Sequence, residues 1–263
     1  TMLETILIID YGSQYTQLIA RRVRECEVFC LVKPYNKIDN NLLKSLNLSG
    51  IILSGGPNSV LNRKSPKLSS NVLSLNIPIL GICYGLQLLC YKLGGKIHQA
   101  KTREYGHALI NLRKKSNLLK GLKNKNNQVW MSHGDHVTRV PSGFEITSIS
   151  NNNIVSSFEN KKENIFGLQF HPEVYHTDLG IKIFKNYLFK ICKIKKKFKI
   201  DNFISTKIKD LKLILKDKKV ICGLSGGVDS TVTSYLLHKA IGDNLYCIFV
   251  DHGLLRKEEG NEI

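Results

Sequence analysis

The sequence has no apolar run that approaches the roughly 20 residues of a membrane-spanning helix. Its 263 residues are 42% hydrophobic and 23% charged, which is typical of a soluble globular protein with one large domain or two smaller ones. The early run ILIID is too short for the apolar core of a signal peptide, so we predict that it is a first strand.

The sequence also has no Cys-x-x-Cys pair. Its seven cysteines are an odd number and are scattered along the chain. This pattern argues against a disulfide scaffold and is typical of a reducing compartment. We therefore expect a cytoplasmic protein.

Acidic residues are scarce, with 21 Asp and Glu against 39 Lys and Arg, and the formal net charge is +18. One interpretation of this charge is nucleic-acid binding. However, arginine makes the commonest specific contact to guanine, and in this sequence lysine far outnumbers arginine. Aromatic residues are not interleaved with the basic runs, as a base-stacking surface requires. We therefore favour a lysine-rich surface without a specific nucleic-acid partner.

Short β-rich runs alternate with helical patterns in the first hundred residues. The strands are predicted at TILIIDYG, VFCLV, SGIILSGGP and IPILGICYG, and the helices at YTQLIARRVREC and LQLLCYKLGG. From about Leu109 to Phe170 the sequence is β-rich and predicts antiparallel additions, before a closing helix at IKIFKNYLFKIC. The pattern predicts an α/β fold with a mixed, mostly parallel open sheet flanked by helices.

The basic stretch KIKKKFKID follows, either as a linker or as the solvated end of the closing helix. A second α/β unit then begins, with the pattern helix, strand, SGGVDS turn, helix and strand. A strand–helix–strand unit cannot bury both of its faces alone, so we expect this unit to be incomplete. The predicted domains are 1–196 and 197–263, the latter being the start of a nucleotide-binding domain.

A cysteine stands between glycines in GICYGLQ, residues 81–87. A lone cysteine is more often a buried packing residue. Gly81-x-Cys83-x-Gly85 between a strand and a helix, however, has the form of a nucleophile elbow, a strained turn that presents its central side chain. The following helix N-terminus favours the thiolate, so Cys83 is the candidate nucleophile.

The histidine of QFHPEV is the best-placed partner for this thiolate. Because residues i and i+2 of an extended segment face the same way, we predict that Glu173 orients the imidazole of His171. The alternative for HPE alone is a turn with a surface salt bridge. The backbone N–H groups of Tyr84 and of Gly56, in the turn SGGP, are candidate donors to an oxyanion. These residues predict acyl transfer by a Cys-His-Glu triad.

With SGGP, GICYGLQ and HPE in this order, the sequence resembles the class I (triad) glutamine amidotransferases. The segments IDYGSQYTQLIARRVRE, REYGHA, MSHGDHV and FHPEVYHT narrow the resemblance, nearly end to end, to the glutamine-hydrolysing GMP synthetases. The resemblance implies the same roles for Cys83, His171 and Glu173. It also implies that glutamine is bound by Gln87, Ser132, His133, Gly134 and Asp135.

Two further histidines, His133 and His136, could pass for catalytic residues. We interpret them instead as loop residues that shape the pocket.

SGGVDS, residues 225–230, resembles the pyrophosphate-binding loop of N-type ATP pyrophosphatases, although an ordinary strand-to-helix turn is the alternative. Backbone N–H groups and two hydroxyls can hold a phosphate there, but the lysine of a Walker A loop is absent. VDHG at 250–253 follows a strand where that family places its adenine pocket. The resemblance implies an ATP site in which Asp229 is a Mg²⁺ ligand. The ATP-binding residues are then Ser225, Gly226, Gly227, Val228, Asp229, Ser230 and Val250.

The resemblance implies that glutamine supplies ammonia for the ATP-dependent amination of xanthosine monophosphate to GMP. We expect the chain to be a fragment without the rest of the synthetase, including the part through which the whole enzyme would form a homodimer. Two alternatives stay open. One is the glutaminase subunit of another pathway, such as anthranilate or carbamoyl phosphate synthesis, against which SGGVDS argues. The other is a basic nucleic-acid-binding or regulatory protein with an inactive triad.

Overall fold

The computed structural model describes residues 3–195, 198 and 200–250. Its contacts divide the chain into two compact units, Thr1–Lys197 and Phe198–Ile263. We keep 1–196 and 197–263 as the proposed domains. In the described part of the chain, no helix combines the length and the apolar character needed to cross a membrane.

One sheet of nine strands runs through the first unit. In chain order, the strands are Thr5–Asp10 (β1), Phe29–Pro34 (β2), Leu48–Leu53 (β3), Ile79–Ile82 (β4), Lys96–Leu112 (β5), Asn127–Arg139 (β6), Glu145–Ser150 (β7), Val155–Asn160 (β8) and Ile165–Leu168 (β9). Their order across the sheet is β2-β1-β3-β4-β9-β8-β7-β5-β6. The strands from β2 to β9 pair in parallel, and those from β9 to β6 pair antiparallel.

Helices cover both faces of the sheet, as predicted. They are Thr16–Glu25 (α1), Asn40–Ser45 (α2), Ser70–Leu73 (α3), Tyr84–Lys92 (α4) and Gly180–Lys185 (α5), which continues as a π-helical segment, Asn186–Ile191. Strand β1 shows why both faces need cover: Ile6 and Ile8 join one apolar cluster, whereas Leu7 and Ile9 join the other. Such a run, apolar on both sides, is typical of a parallel strand between helical layers. The mixed α/β fold with flanking helices is therefore confirmed.

Two details of the predicted sheet were wrong. The β-rich part begins at Lys96 rather than near Leu109, because β5 is a long strand whose pairing with β6 shifts register between Gln99 and Glu104. In addition, β9 is not simply an antiparallel addition, since it pairs in parallel with β4 and antiparallel with β8. The carboxyl ends of β4 and β9 therefore lie side by side, which brings the segments that follow them together.

The second unit contains a helix at Ile200–Leu215 (α6), a strand at Val220–Leu224 (β10), a helix at Val228–Ile241 (α7) and a strand at Leu245–Phe249 (β11). Strands β10 and β11 pair in parallel, and apolar side chains on them are exposed, among them Ile221, Tyr246 and Ile248. Part of the predicted linker KIKKKFKID, and 251–253 of VDHG, lie outside the described residues.

Candidate active site

Cys83 is the single residue between the end of β4 and the start of α4. Its backbone has φ 52° and ψ −105°, a conformation that a non-glycine residue adopts at a cost of about 1–3 kcal/mol. The surrounding structure holds it there, since the N–H of Cys83 donates to the carbonyl of Leu168 at 2.7 Å. The turn has the strained geometry expected of a nucleophile elbow, and the thiol faces a cavity.

The glycines on either side of Cys83 are needed for close packing. A Cβ on Gly81 would lie 2.5 Å from the carbonyl carbon of Gly85. A Cβ on Gly85 would overlap the carbonyl oxygen of Leu53 in the neighbouring strand. The first turn of α4 can therefore lie against the sheet only because both positions lack a side chain.

His171 and Glu173 form a buried pair close to this turn. The Nδ1 atom of His171 lies 2.7 Å from Oε1 of Glu173. The prediction that strand alternation brings them together was wrong in its geometry, because β9 ends at Leu168 and Pro172 and Glu173 lie in a turn. Proline has no N–H for a strand ladder, which favours this turn.

Hydrogen bonds to the backbone hold the turn of His171 in place. The N–H of His171 donates to the carbonyl of Trp130 at 2.9 Å, and its own carbonyl accepts from the hydroxyl of Thr177 at 2.6 Å. The guanidinium of Arg22 in α1 donates to the carbonyl of Glu173 at 2.9 Å. The ring of Tyr15 meets the imidazole edge-on at 5.1 Å between centroids. The imidazole is thus fixed from several elements.

The charges around His171 favour its protonated form. Burial alone lowers the pKa of His171, but the charges and hydrogen bonds of Glu173 and Cys83 outweigh burial and raise that pKa well above its usual value. At neutral pH the imidazole is therefore held as an imidazolium beside the sulfur. That form can donate a proton to a leaving amine.

Both predicted oxyanion donors lie at the cavity of Cys83. Tyr84 is the first residue of α4, and within the described residues neither its N–H nor that of Gly56 has an acceptor. The turn of Gly56 is braced by Ser54, whose hydroxyl accepts from the N–H of Tyr11 at 2.9 Å and donates to the carbonyl of Gly55 at 2.8 Å. These two N–H groups are free to bind a negatively charged oxygen.

The structure brings the predicted glutamine-binding residues together around a cavity of about 360 Å³. Besides Cys83, Gly56 and Tyr84, the cavity is lined by the five predicted residues, Gln87, Ser132, His133, Gly134 and Asp135. A neighbouring cavity of about 330 Å³ shares Cys83 and Ser132 and extends to His171. Both cavities are lined by Cys83, which therefore lies between the predicted glutamine-binding residues and His171.

His133 and His136 are strand residues of β6, so the prediction that they lie in a loop was wrong. His133 is buried, and its Nε2 lies 3.2 Å from Oε2 of Glu104 in β5. Burial and the neighbouring His133 and His98 lower the pKa of His136, which favours its neutral form. Because β6 is paired with β5, the segment that lines the cavity is held more rigidly than a loop.

Sequence reasoning missed Glu104 as a functional residue. Its other carboxylate oxygen, Oε1, accepts from Asn152 at 2.6 Å and from Ser150 at 3.3 Å. Burial raises the pKa of this carboxyl, but hydrogen bonds from His133, Asn152 and Ser150 outweigh burial and lower it overall. The available signal was a single acidic residue within the long strand β5. Gln169, which contacts Cys83, was missed as well.

The residues of SGGVDS form a small turn at the start of α7. The hydroxyl of Ser230 accepts from the N–H of Ser225 at 3.2 Å, and Gly226 has a positive φ of 75°. Asp229 lies in the first turn of α7, and Val250 follows β11. The hydroxyls and the N–H groups at this helix start fit a phosphate. Across the described residues, no group of three or more metal-binding side chains is assembled, so Mg²⁺ there would need phosphate oxygens besides Asp229.

Comparisons with known proteins match the chain to two families. The family described as "Glutamine amidotransferase class-I" matches residues 7–191, and the family described as "NAD synthase" matches residues 198–259. Two curated relatives named "GMP synthase [glutamine-hydrolyzing]" are 50% identical over 260 residues (Clostridium tetani) and 52% identical over 261 residues (Petrotoga mobilis). Each alignment covers 99% of this chain but only 51% and 50% of the relative, so the chain spans about half the length of these relatives.

Solved structures show the same fold. A putative GMP synthase protein from Thermoplasma acidophilum is 30% identical with a TM-score of 0.61, over 73% of this chain and 96% of that one. A glutamine amidotransferase from Thermotoga maritima is 20% identical with a TM-score of 0.56, over 92% of this chain and 100% of that one, and shows the fold alone. With its family match over residues 7–191, this chain belongs to the class I glutamine amidotransferase family.

Proposed function

We propose that Cys83 hydrolyses glutamine, and that the whole protein uses the ammonia to convert xanthosine monophosphate to GMP at the expense of ATP. The observation that carries the first part is the strained turn of Cys83 beside the buried pair of His171 and Glu173, in an amidotransferase fold. The second part is supported by the names of the curated relatives and by the match of residues 198–259.

In the first step, the thiolate of Cys83 attacks the amide carbon of the glutamine side chain. The carbonyl oxygen becomes negatively charged and is stabilised by the N–H groups of Gly56 and Tyr84. The imidazolium of His171 then gives its proton to the departing nitrogen. The carbon–nitrogen bond breaks, ammonia leaves, and a γ-glutamyl thioester remains on the sulfur.

In the second step, water hydrolyses the thioester. The neutral imidazole of His171 takes a proton from the water, whose oxygen attacks the thioester carbon, and the carbon–sulfur bond breaks to release glutamate. The carboxylate of Glu173 stabilises the imidazolium that forms and keeps its ring oriented. The proton therefore remains on His171, and the sulfur leaves as a thiolate ready for the next cycle.

The cavity can hold the amino acid part of glutamine. The buried Oδ2 atom of Asp135 and the buried Nδ1 atom of His133 have no hydrogen-bond partner in the part of the chain that the structure describes. An unpaired buried polar atom is costly, and a polar substrate would remove that cost. We therefore assign glutamine to this cavity, with Gln87, Ser132 and Gly134 completing the wall.

We further propose that residues 225–230 hold the phosphates of ATP, with Val250 near its base. In that reaction ATP adenylates the purine carbonyl of xanthosine monophosphate and releases pyrophosphate, and ammonia then displaces AMP to give GMP. Asp229 would hold Mg²⁺, which neutralises charge on phosphate oxygens. A homodimer of the whole protein and a cytoplasmic location stay predictions.

The test is a glutaminase assay of this chain, alone and with a separately supplied C-terminal part, ATP and xanthosine monophosphate. We expect little or no glutamine hydrolysis by the chain alone and no GMP, with both activities restored in the complete mixture. Cys83→Ala should abolish ammonia release in every condition. Ammonia release that survives this substitution would contradict the proposed nucleophile. GMP formation by the 263-residue chain alone would contradict the proposed division of the reaction.

A further inference from the structure

Gln169 places an amide directly against the nucleophilic sulfur. Its side-chain nitrogen Nε2 lies 3.7 Å from Sγ of Cys83, and the residue is fully buried. Its backbone N–H donates to the carbonyl of Ser156 at 2.9 Å, which fixes the chain just before His171. The side-chain amide of Gln169 is therefore held in contact with the sulfur of Cys83.

The hydrogen bonds around Gln169 determine which end of its amide faces the sulfur. The nitrogen Nε2 of Gln87 lies 2.9 Å from the backbone carbonyl of Asp135, and a carbonyl can only accept. The same nitrogen lies 3.4 Å from Oε1 of Gln169, so that oxygen is an acceptor. The NH₂ group of Gln169 must then point towards Cys83. The hydrogen bonds therefore have a fixed direction: Gln87 donates to Asp135 and to Gln169, and Gln169 donates to Cys83.

The sulfur lies between groups that favour different protonation states. The backbone carbonyl of Ser132, 3.5 Å from Sγ, accepts a hydrogen bond from the thiol and offers nothing to the thiolate. The NH₂ group of Gln169 donates and so favours the negatively charged sulfur. A buried anion needs such donors, because it has lost its contacts with water.

We propose that Gln169 stabilises the thiolate of Cys83 through its side-chain N–H, in an orientation maintained by Gln87. This inference rests on the proposed function, because it assigns a donor to the same nucleophile. Gln169 acts on the sulfur by contact, and Gln87 acts on it through Gln169.

The test measures how fast iodoacetamide alkylates Cys83 in the intact chain, with the modified residue located by mass spectrometry. Gln169→Met keeps the length of the side chain and removes the donor. We expect alkylation to be at least about tenfold slower at neutral pH, because hydrogen bonds to charged groups are strong. The deficit should shrink as the pH is raised and the thiolate forms without help. A purely structural role would not produce this dependence on pH.

Two further variants test the charge beside the sulfur and the orientation of Gln169. Gln169→Glu places a carboxylate beside the sulfur and should slow alkylation more than Gln169→Met, because like charges repel. Gln87→Met leaves the sulfur untouched but frees Gln169 to turn, and should give an intermediate rate. The matched control is Asn186→Leu, which removes a buried amide that bonds Leu118 and Lys120 far from Cys83 in the sequence, and it should react as the unaltered chain does.

The outcomes separate the inference from the proposed function. If folded Gln169→Met and Gln169→Glu both alkylate as fast as the unaltered chain while glutamine still protects Cys83, the inference fails and the proposed function stands. If glutamine does not protect Cys83 in the unaltered chain, that result contradicts the proposed function itself, whatever the variants show. Folding of each variant is checked by its melting temperature.

Discussion

Oε1 of Glu173 lies 2.7 Å from Nδ1 of His171, and neither side chain has more than 4% of its surface exposed. Two buried groups at this distance hold each other in one orientation. Removing the charge of one leaves the other in a site built for a pair. The relationship between these residues therefore has consequences for both reactivity and stability.

Glu173→Gln should keep the shape of the pair and remove its charge. Burial, which lowers the pKa of His171, would then be opposed by Cys83 alone, so that pKa should fall and less imidazolium would stand beside Cys83. We expect labelling of Cys83 by a glutamine-mimicking chloroketone to slow by about 10²–10⁴-fold, the usual range for a lost acid–base contribution. Glu163→Gln, at an exposed position, is the control and should label at the original rate.

The raised pKa of His171 also predicts how stability depends on pH. A group whose pKa is higher in the folded chain stabilises the fold fully below its unfolded pKa, and that stability is lost as the pH rises through the folded pKa. We expect the melting temperature of the amidotransferase unit to fall in the alkaline range for this reason. His171→Gln should remove this part of the alkaline decline, and an unchanged pH profile in that variant would contradict the assignment.

Gly85→Ala should damage the turn of the nucleophile. The new methyl group would overlap the carbonyl oxygen of Leu53 and lie 2.7 Å from its Cβ, so α4 must shift. Overpacking of this kind costs about 1–3 kcal/mol of unfolding free energy. Chemical denaturation measures that loss, and chloroketone labelling should slow as well. Gly223→Ala is the control, because a Cβ at that position meets nothing within 4 Å.

Glu104→Gln should loosen the strand that lines the glutamine cavity. The carboxylate accepts hydrogen bonds from His133, Asn152 and Ser150, and an amide cannot accept all of them. We expect a loss of about 1–3 kcal/mol of unfolding free energy and weaker protection of Cys83 by glutamine. Glu145→Gln, which removes an exposed ion pair with Lys114, should change neither quantity appreciably.

The carboxyl of Glu104 also predicts how stability depends on pH in the acid range. Since the pKa of Glu104 is lowered on folding, its contribution to stability is present above the unfolded pKa and is lost as the pH falls through the folded pKa. Melting temperatures measured through the acid range should therefore fall less steeply in Glu104→Gln than in the unaltered chain. An equally steep decline in both would show that this carboxyl does not contribute.

Local patterns were sufficient to predict the place of Cys83. A strand, a cysteine between two glycines and a helix are consecutive in the chain, and the structure puts them in that order. The mixed sheet with flanking helices was predictable for the same reason, since β1 to β4, α1 and α4 each have a local signal, whereas the short helices α2 and α3 were not predicted. The pairing of β9 with β4 was not, because it joins segments far apart in the sequence and depends on which edge of the sheet is free.

The environment of the Cys83 sulfur could not be predicted from the sequence either. Gln169 and Cys83 are 86 positions apart, and Glu104 and His133 are 29 apart. No spacing rule relates such residues. Their contacts follow from the tertiary structure, in which β4, β6 and β9 bring their side chains to one cavity. The structure also has a turn at Pro172 where an extended segment was predicted. His171 and Glu173, on either side of this proline, are still in contact.

The most direct test of the central claim is to locate the label left by a glutamine-mimicking chloroketone. We predict one modification per chain, on Cys83, which glutamine slows and which His171→Ala reduces strongly. The six other cysteines, including the exposed Cys247, should stay unmodified under the same conditions. Labelling that is spread over several cysteines, or that is unaffected by His171→Ala, would contradict the claim that Cys83 and His171 act together.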